Sequence, residues 1–208
     1  INKHLSEWIS KKSNHLYELS FKSINLKLQP LSLSIEDVSL TTNQEVARQI
    51  LEKSPEKVLY NFHSPKILIN RINLQSFVRK KIFRCKSINV YKPELKLEGA
   101  EILQQDSALV VDRLFYELQP LFKDQLKSVA IDEINFVNAN YKIYTSSANL
   151  KQISNAENIS VVIRKFRTDS TLIFDKARFF NSDDILIEMN NFKNDLGDSL
   201  HILNSFWL

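Results

Sequence analysis

The side chains that most often perform chemistry are few and scattered in this chain of 208 residues. Its histidines, His4, His15, His63 and His201, include no i, i+4 pair of the kind that holds a metal ion on a helix. His63 precedes Ser64 in "HSP", but the chain has no nucleophile elbow to support a triad. These patterns predict neither a metal site nor a catalytic triad.

The single cysteine and the paired carboxylates favour structural roles. Cys85 occupies an apolar position of a repeated strand pattern, which predicts a core residue rather than a nucleophile. The acidic pairs Asp183–Asp184 and Asp195–Asp198 lack the alternate spacing of an EF-hand loop, so solvated turns are expected there. We therefore predict a protein that is not an enzyme, with a hydrolase of unrecognised site as the weakest alternative.

Glycine is nearly absent, with only Gly99 and Gly197 in the whole chain. Phosphate-cradling loops need glycine because the backbone must approach the ligand closely, and no such loop can be written with two isolated glycines. The sequence therefore predicts no nucleotide cofactor. It indicates no other cofactor and no small-molecule substrate.

A cluster of basic residues is the one strongly charged segment. The net charge is +4 and the pI is about 9.0, and "VRKKIFRCK" concentrates positive charge within this mildly basic chain. Its candidates for contact with lipid head groups or a membrane surface are Arg79, Lys80, Lys81, Arg84 and Lys86. The alternative is the solvated side of a helix–strand corner. No aromatic RNA-binding strand signature occurs, and we predict no nucleic-acid partner.

The strands that would position these residues share an interruption in their alternation of apolar and polar side chains. The pattern is apolar-x-apolar-x-x-apolar-Asn-apolar, in which one extra polar residue interrupts the alternation; we call this interruption the slip. In a regular strand it would place the apolar side chains that follow on the opposite face. Such a slip predicts a β-bulge or a sharp bend. Five copies occur, with Ser39 replacing Asn in the second: Leu19, Phe21, Ile24, Asn25, Leu26; Leu33, Ile35, Val38, Ser39, Leu40; Ile67, Ile69, Ile72, Asn73, Leu74; Phe83, Cys85, Ile88, Asn89, Val90; and Val129, Ile131, Ile134, Asn135, Phe136.

Longer segments around the slip also repeat. "LQSFVRKKI" (74–82) aligns with "LQPLFKDQL" (118–126), and "INVYKPELKL" (88–97) aligns with "INFVNANYKI" (134–143). The sequence thus predicts a repeated unit of helical turn, bulged strand, turn and second strand.

These patterns predict a mainly β (α+β) fold, a curved antiparallel meander of bulged strands with a few short inserted helices. We expect one β-rich domain over 1–208, with an amphipathic helix at 1–13 and a sheet over 14–208. Further helices are expected near 43–54 and 106–126. Strands are expected at 15–29, 31–42, 66–75, 82–92 and 94–98, and from 127 onward. No run of 18 apolar residues occurs, so no transmembrane helix is expected.

Three stretches resemble the AsmA-like proteins of bacterial envelopes, which are related to TamB and to chorein-type bridge lipid-transfer proteins. "INKHLSEWISKKSNHLYELSFKSINLKLQPLSLSIEDVSL" is similar to the segment after that family's N-terminal membrane helix. "INRINLQSFVRKKIFRCKSINVYKPELKLEG" resembles its basic turn, with Pro93, Leu95 and Leu97 on the pattern. "FFNSDDILIEMNNFKNDLGDSLHIL" is similar to its later strands.

The resemblance implies a non-enzymatic envelope protein that binds or conducts phospholipid along an apolar β-groove. It implies a periplasmic location, an anchoring helix upstream of residue 1, and phospholipid, a membrane surface or other envelope proteins as partners. The candidate groove residues are the second halves of the repeats: Ile24, Leu26, Leu28, Ile72, Leu74, Ile88, Val90, Ile134 and Phe136. Closed packing of these residues against the helices is the alternative, which would favour an envelope scaffold or protein-interaction module without lipid.

Overall fold

The structure is a computed structural model that describes residues 2–54, 57–98, 126–144, 152–168, 184–195 and 200–207. The helix expected near 106–126 lies outside these residues, apart from Leu126.

Three helices occur in the described part of the chain: α1 (Asn2–Lys12), α2 (Gln44–Lys53) and α3 (Leu74–Lys80). α2 begins where the Asn43 side chain accepts hydrogen bonds from the amides of Glu45 and Val46, which satisfies two of the free N–H groups of the first turn. α3 is capped in the same way by Asn73, and it ends because Lys81 turns into the left-handed region.

Ten strands form a single sheet in the described residues, in the order β1-β3-β4-β5-β7-β8-β9-β10. β2 continues the line of β1 along the edge of β3, and β6 continues the line of β5 between β4 and β7. The strands are β1 (Tyr17–Ser20), β2 (Ser23–Leu28), β3 (Leu31–Thr42), β4 (Leu59–Asn70), β5 (Ile82–Tyr91), β6 (Glu94–Glu98), β7 (Ser128–Tyr144), β8 (Gln152–Thr168), β9 (Asp184–Asp195) and β10 (Leu200–Trp207).

The mainly β class is confirmed, but the sheet is mixed rather than purely antiparallel. β7 runs parallel to both β5 and β6, while the other pairs are antiparallel. A parallel neighbour needs a long crossover, and the 29 residues between Glu98 and Ser128 provide one. Alternation within single strands does not reveal strand direction, so the meander prediction was wrong at this pair.

Two strand predictions were also wrong in their limits. The single strand expected at 15–29 is divided at Phe21 and Lys22 into β1 and β2. β4 spans Leu59–Asn70, whereas a strand at 66–75 was expected. Arg71 leaves the extended region with a φ of 52°, and Asn73 then begins α3. The apolar alternation at 72–74 therefore belongs to a connection and a helix start. The strand begins earlier than expected, with the buried Leu59 and Tyr60.

The strand segments 88–97 and 134–143 of the longer repeat lie side by side in register. Each residue of "INVYKPELKL" that pairs with β7 does so with the residue 46 positions later, from Ile88 with Ile134 to Leu97 with Ile143. The repeated asparagines meet in this pairing, because Asn135 Nδ2 donates to Asn89 Oδ1 at 2.8 Å. Three identical pairs thus lie side by side across the parallel strands: Ile88 with Ile134, Asn89 with Asn135, and Lys96 with Lys142.

Left-handed residues lie where the apolar alternation slips. Asp37, Lys92, Asn138 and Asn158 have φ values of 56°, 45°, 53° and 59°, and all four are exposed. The pairing registers place Asp37 opposite Pro65 of β4 and Lys92 beside Asn138, while Asn158 lies two residues along β7, where its amide donates to Asn140 Oδ1. We call this row the first slip line.

A second slip line crosses the sheet nearer the beginning of β5. Arg71 and Lys165 are left-handed there, with φ values of 52° and 53°. Between Arg71 and Lys165 lie Lys86 of β5 and Asp132 of β7, which are skipped in the otherwise continuous pairing of these two strands. All four side chains are exposed.

The buried residues form three clusters rather than one. The largest contains Cys85, Ile131, Ile163 and Phe166 at the second slip line. Leu16, Ala47 and Leu59 join α2 to the far end of the sheet, and Val58, Tyr60 and Leu97 form the third cluster near them.

Substitution of a left-handed residue tests the slip-line geometry. Lys92→Val should lower the free energy of unfolding by about 1–2 kcal/mol, because a side chain with a Cβ branch is strained at positive φ. Lys92→Gly should leave it nearly unchanged. Urea unfolding measures both changes. The matched control is Lys96→Val on β6, an exposed lysine in extended backbone, which should not destabilise. Equal effects at 92 and 96 would contradict the assignment.

Candidate functional site

One face of the sheet is lined by unbroken rows of apolar side chains, because cross-strand neighbours share a face. The first row crosses seven strands and consists of Leu26, Leu33, Ile69, Ile88, Ile134, Ile163 and Ile185. The second row crosses six strands and consists of Ile24, Ile35, Ile67, Val90, Phe136 and Val161. We call these two rows the apolar face.

The opposite face is mainly polar. One of its rows consists of Asn70, Ser87, Glu133, Arg164 and Asp184. Asn70 Nδ2 donates to Ser87 Oγ at 3.1 Å, and Arg164 Nη1 donates to Asp184 Oδ1 at 3.2 Å. We call this side the polar face; it also carries a few aliphatic residues, among them Leu68, whose sheet neighbours are Ser34 and Asn89.

Access to the apolar face differs between its margin and its centre. At the β2 margin, Leu26 is 59% exposed and Leu28 is 72% exposed. Most other members of the two rows are half-buried, whereas Val90 and Ile163 are buried. The apolar face is thus accessible at its margin and closed over Ile163.

The structure places seven of the nine predicted groove residues on one side of the sheet. They are Ile24, Leu26, Leu28, Ile88, Val90, Ile134 and Phe136. Ile72 lies in the connection after β4 and packs against the buried cluster of Cys85. Leu74 is the first residue of α3 and lies off the sheet.

Sequence reasoning missed about half of the apolar face. Leu33, Ile35, Ile67 and Ile69 were recognised in the repeated pattern but were not expected to line the same surface. The antiparallel pairing of β3 with β4 brings these first halves of two copies opposite one another. The alternation of "ISVVI" in β8 was the available signal for Val161 and Ile163.

The five predicted basic residues are all exposed. Arg79 and Lys80 form the last turn of α3, and Lys81 is its C-cap. Arg84 and Lys86 lie on β5, where they alternate with the buried Cys85. The structure therefore brings these residues to the α3–β5 corner.

Cys85 is buried with 1% of its surface exposed. Desolvation by burial, and then the charge of the Asp132 carboxylate, raise the pKa of the Cys85 thiol to about 11. The thiolate is the nucleophilic form of cysteine, so this thiol is inert at neutral pH.

The histidines with described partners form pairs with neighbouring polar side chains. His63 Nε2 lies 3.0 Å from Asp37 Oδ1 beside the first slip line. His15 Nδ1 lies 3.0 Å from Ser10 Oγ in an open cavity of about 550 Å³ between α1 and β1. Among the described residues, no three His, Cys, Asp or Glu side chains are grouped so that they could hold a metal ion.

No helix within the described ranges is both long and apolar enough to cross a membrane. A comparison with protein-family models gave no match. A comparison with curated proteins found no significantly similar sequence. The resemblance to AsmA-like proteins therefore remains a hypothesis carried by the three quoted stretches.

The raised pKa of Cys85 predicts a loss of stability in alkaline solution. The folded state keeps the thiol proton up to about pH 11, whereas the unfolded state loses it near its ordinary pKa of about 8.5–9. Between pH 8 and pH 10 this difference should remove about 1 kcal/mol of the free energy of unfolding. Because Cys85→Ala lacks this dependence, the stability gap between wild type and variant should narrow over that interval. A gap that stays constant would contradict the prediction.

Proposed function

We propose that this protein is a non-enzymatic cell-envelope protein of AsmA-like type that binds phospholipid through the apolar face. The observation that carries the proposal is the first row of that face, in which seven strands in succession place Leu or Ile at one level. A strip of aliphatic side chains across a sheet matches the shape and chemistry of an acyl chain.

The two slip lines support a curved sheet of bulged strands. Each left-handed residue adds one position to a strand without moving the side chains that follow to the opposite face of the sheet. Bulges of this kind bend a strand and increase its twist. Because the slip lines cross several strands at matching registers, the bends add in one direction. We propose that they make the apolar face concave, so that it forms a trough.

The energetics favour acyl chains over other ligands for such a trough. Each methylene buried against the apolar face contributes about 0.8 kcal/mol, and the open margin at Leu26 and Leu28 lets a head group remain in water. No charge then has to be buried, which avoids a large desolvation cost.

The cellular setting of the proposal comes from the resemblance. The resemblance implies a periplasmic location, an anchor upstream of residue 1, and phospholipid as the partner. The lipid-binding surface and the setting are separate parts of the proposal, and the experiment below tests the surface.

A scaffold without lipid is the second candidate, and one observation favours it. Cys85, Ile131, Ile163 and Phe166 are buried together at the second slip line, with Ile72 packed against them. If this closure extends along the face, the aliphatic rows act as a core and the protein serves as a protein-interaction module of the envelope.

Native mass spectrometry with lipid extraction tests lipid binding. Protein purified from bacterial cells should carry phospholipid. Ile69→Asp in the centre of the apolar face should reduce the bound lipid at least about tenfold, because acyl chains that cover a carboxylate remove it from water at a large cost in free energy. The matched control is Leu68→Asp, since Leu68 is the adjacent half-buried aliphatic residue on the polar face. It should retain the lipid.

Circular dichroism confirms that each variant is folded. If Ile69→Asp does not fold, Leu26→Asp at the exposed margin takes its place, with Asn25→Asp on the polar face as its control. Lipid-free wild-type protein, or equal loss in variants of both faces, would reject the lipid-binding proposal and favour the scaffold.

A further inference from the structure

α3 turns its apolar side outward. Leu74, Phe77 and Val78 have the i, i+3, i+4 spacing of one helical stripe, and they are 56%, 44% and 70% exposed. Ser76 is the half-buried residue of this helix, and none of its residues is buried. A surface helix of a globular protein normally buries its apolar stripe, so this inverted orientation indicates a partner.

The β2–β3 turn lies beside α3 and adds to the same surface. The Ile72 amide donates to the Leu31 carbonyl at 2.9 Å, which holds the chain entering α3 against the start of β3. The Lys127 amide donates to the Lys81 carbonyl at 2.8 Å, which brings the start of β7 to the end of α3. We define the docking end as the β2–β3 turn with the adjoining Leu26 and Leu28, together with α3, Lys81 and Lys127.

The docking end gathers most of the exposed large apolar side chains. Seven such side chains are exposed in the described residues, and five of them belong to it: Leu26, Leu28, Leu74, Phe77 and Val78. The other two, Leu5 and Tyr91, lie on α1 and at the end of β5. This concentration at one end of the sheet exceeds the scattered apolar exposure of an ordinary surface.

Positive charge accompanies these apolar residues. Residues 57–93 contain no Asp or Glu, and Lys27, Arg79, Lys80, Lys81 and Lys127 are all exposed.

The described acidic residues at this end of the neighbouring strands are already paired. Asp132 lies 2.8 Å from Arg167, and Asp184 lies 3.2 Å from Arg164. The positive charge of the docking end is therefore not compensated by these carboxylates.

We propose that the docking end binds the surface of a lipid bilayer that contains anionic head groups. The apolar stripe of α3 and the leucines of the β2–β3 turn enter the boundary between head groups and acyl chains, while the lysines and Arg79 contact lipid phosphates. Apolar residues combined with flanking basic residues suit this interface, because burial of apolar surface and attraction to anionic head groups both favour binding. A nucleic acid would use the basic residues but not the exposed aliphatic ones.

This proposal goes beyond lipid binding on the apolar face and does not require it. The apolar face concerns single lipid molecules carried by the protein, whereas the docking end concerns attachment to an intact bilayer. Lipid extraction measures the first property and vesicle binding measures the second, so the two proposals fail separately.

Vesicle co-sedimentation of this chain tests the docking end. Vesicles of phosphatidylcholine with 30% phosphatidylglycerol should bind the protein at least about tenfold more strongly than vesicles of phosphatidylcholine alone, and the binding should weaken as salt is added. Arg79→Glu with Lys80→Glu should reduce binding to the anionic vesicles at least about tenfold. Phe77→Ser with Val78→Ser should reduce it severalfold even at low salt.

The matched control changes the same number of charges elsewhere. Arg48→Glu with Lys53→Glu on α2 also lowers the net charge by four, from +4 to 0, and both side chains are exposed. α2 connects the other ends of β3 and β4, so this pair should bind vesicles nearly as wild type does. All substituted side chains are exposed, and circular dichroism verifies their folds.

Three results would overturn the proposal. Equal losses from the α2 and α3 charge pairs would reduce the effect to net charge. Binding that is unchanged in Phe77→Ser with Val78→Ser would remove the apolar contribution. Competition by a single-stranded oligonucleotide at equal phosphate concentration, with no effect of the serine pair, would assign the surface to polyanions in general.

Discussion

The structure depends on one constraint, which is that a strand with an extra residue must absorb it or exchange its two faces. In β3 the left-handed Asp37 lies at the predicted slip, whereas Asn138 of β7 and Asn158 of β8 are left-handed outside the five predicted copies. All three are exposed polar residues, and Asn and Asp tolerate this backbone better than most side chains. The two apolar rows and the polar row beside them show that apolar and polar side chains are segregated to opposite faces of the sheet.

The parallel pairing of β5 with β7 extends this constraint from one strand to a repeat. Two copies related by 46 residues have their slips at the same level, so Lys92 lies beside Asn138 and Asn89 beside Asn135. The hydrogen bond between the two asparagine side chains satisfies the amide donor of Asn135 and the carbonyl acceptor of Asn89 on a half-buried part of the sheet. The other repeated asparagines act differently: Asn73 caps α3, and Asn25 lies exposed on the edge strand β2.

The two proposed binding surfaces meet at Leu26 and Leu28. These leucines belong to the β2 margin of the apolar side of the sheet and also to the docking end. A bilayer held against the docking end would lie next to the exposed margin of the apolar face. The buried thiol of Cys85 and its neighbours close the face at the second slip line, so acyl chains would have their access along the β2 and β3 side.

Local pattern determined the strand-rich class and the helix that begins after Asn43, because these depend on side chains close in sequence. It also selected seven groove candidates that lie on one side of the sheet, since alternation encodes the two faces. It failed at Asn73, which was expected within a strand and instead caps α3. Tertiary structure alone decided the parallel neighbour β7, the pairing that joins Leu33 and Ile69 in one row, and the outward stripe of α3. Strand direction, strand order and helix orientation arise from contacts between distant segments, and periodicity within a segment carries no information about its neighbours.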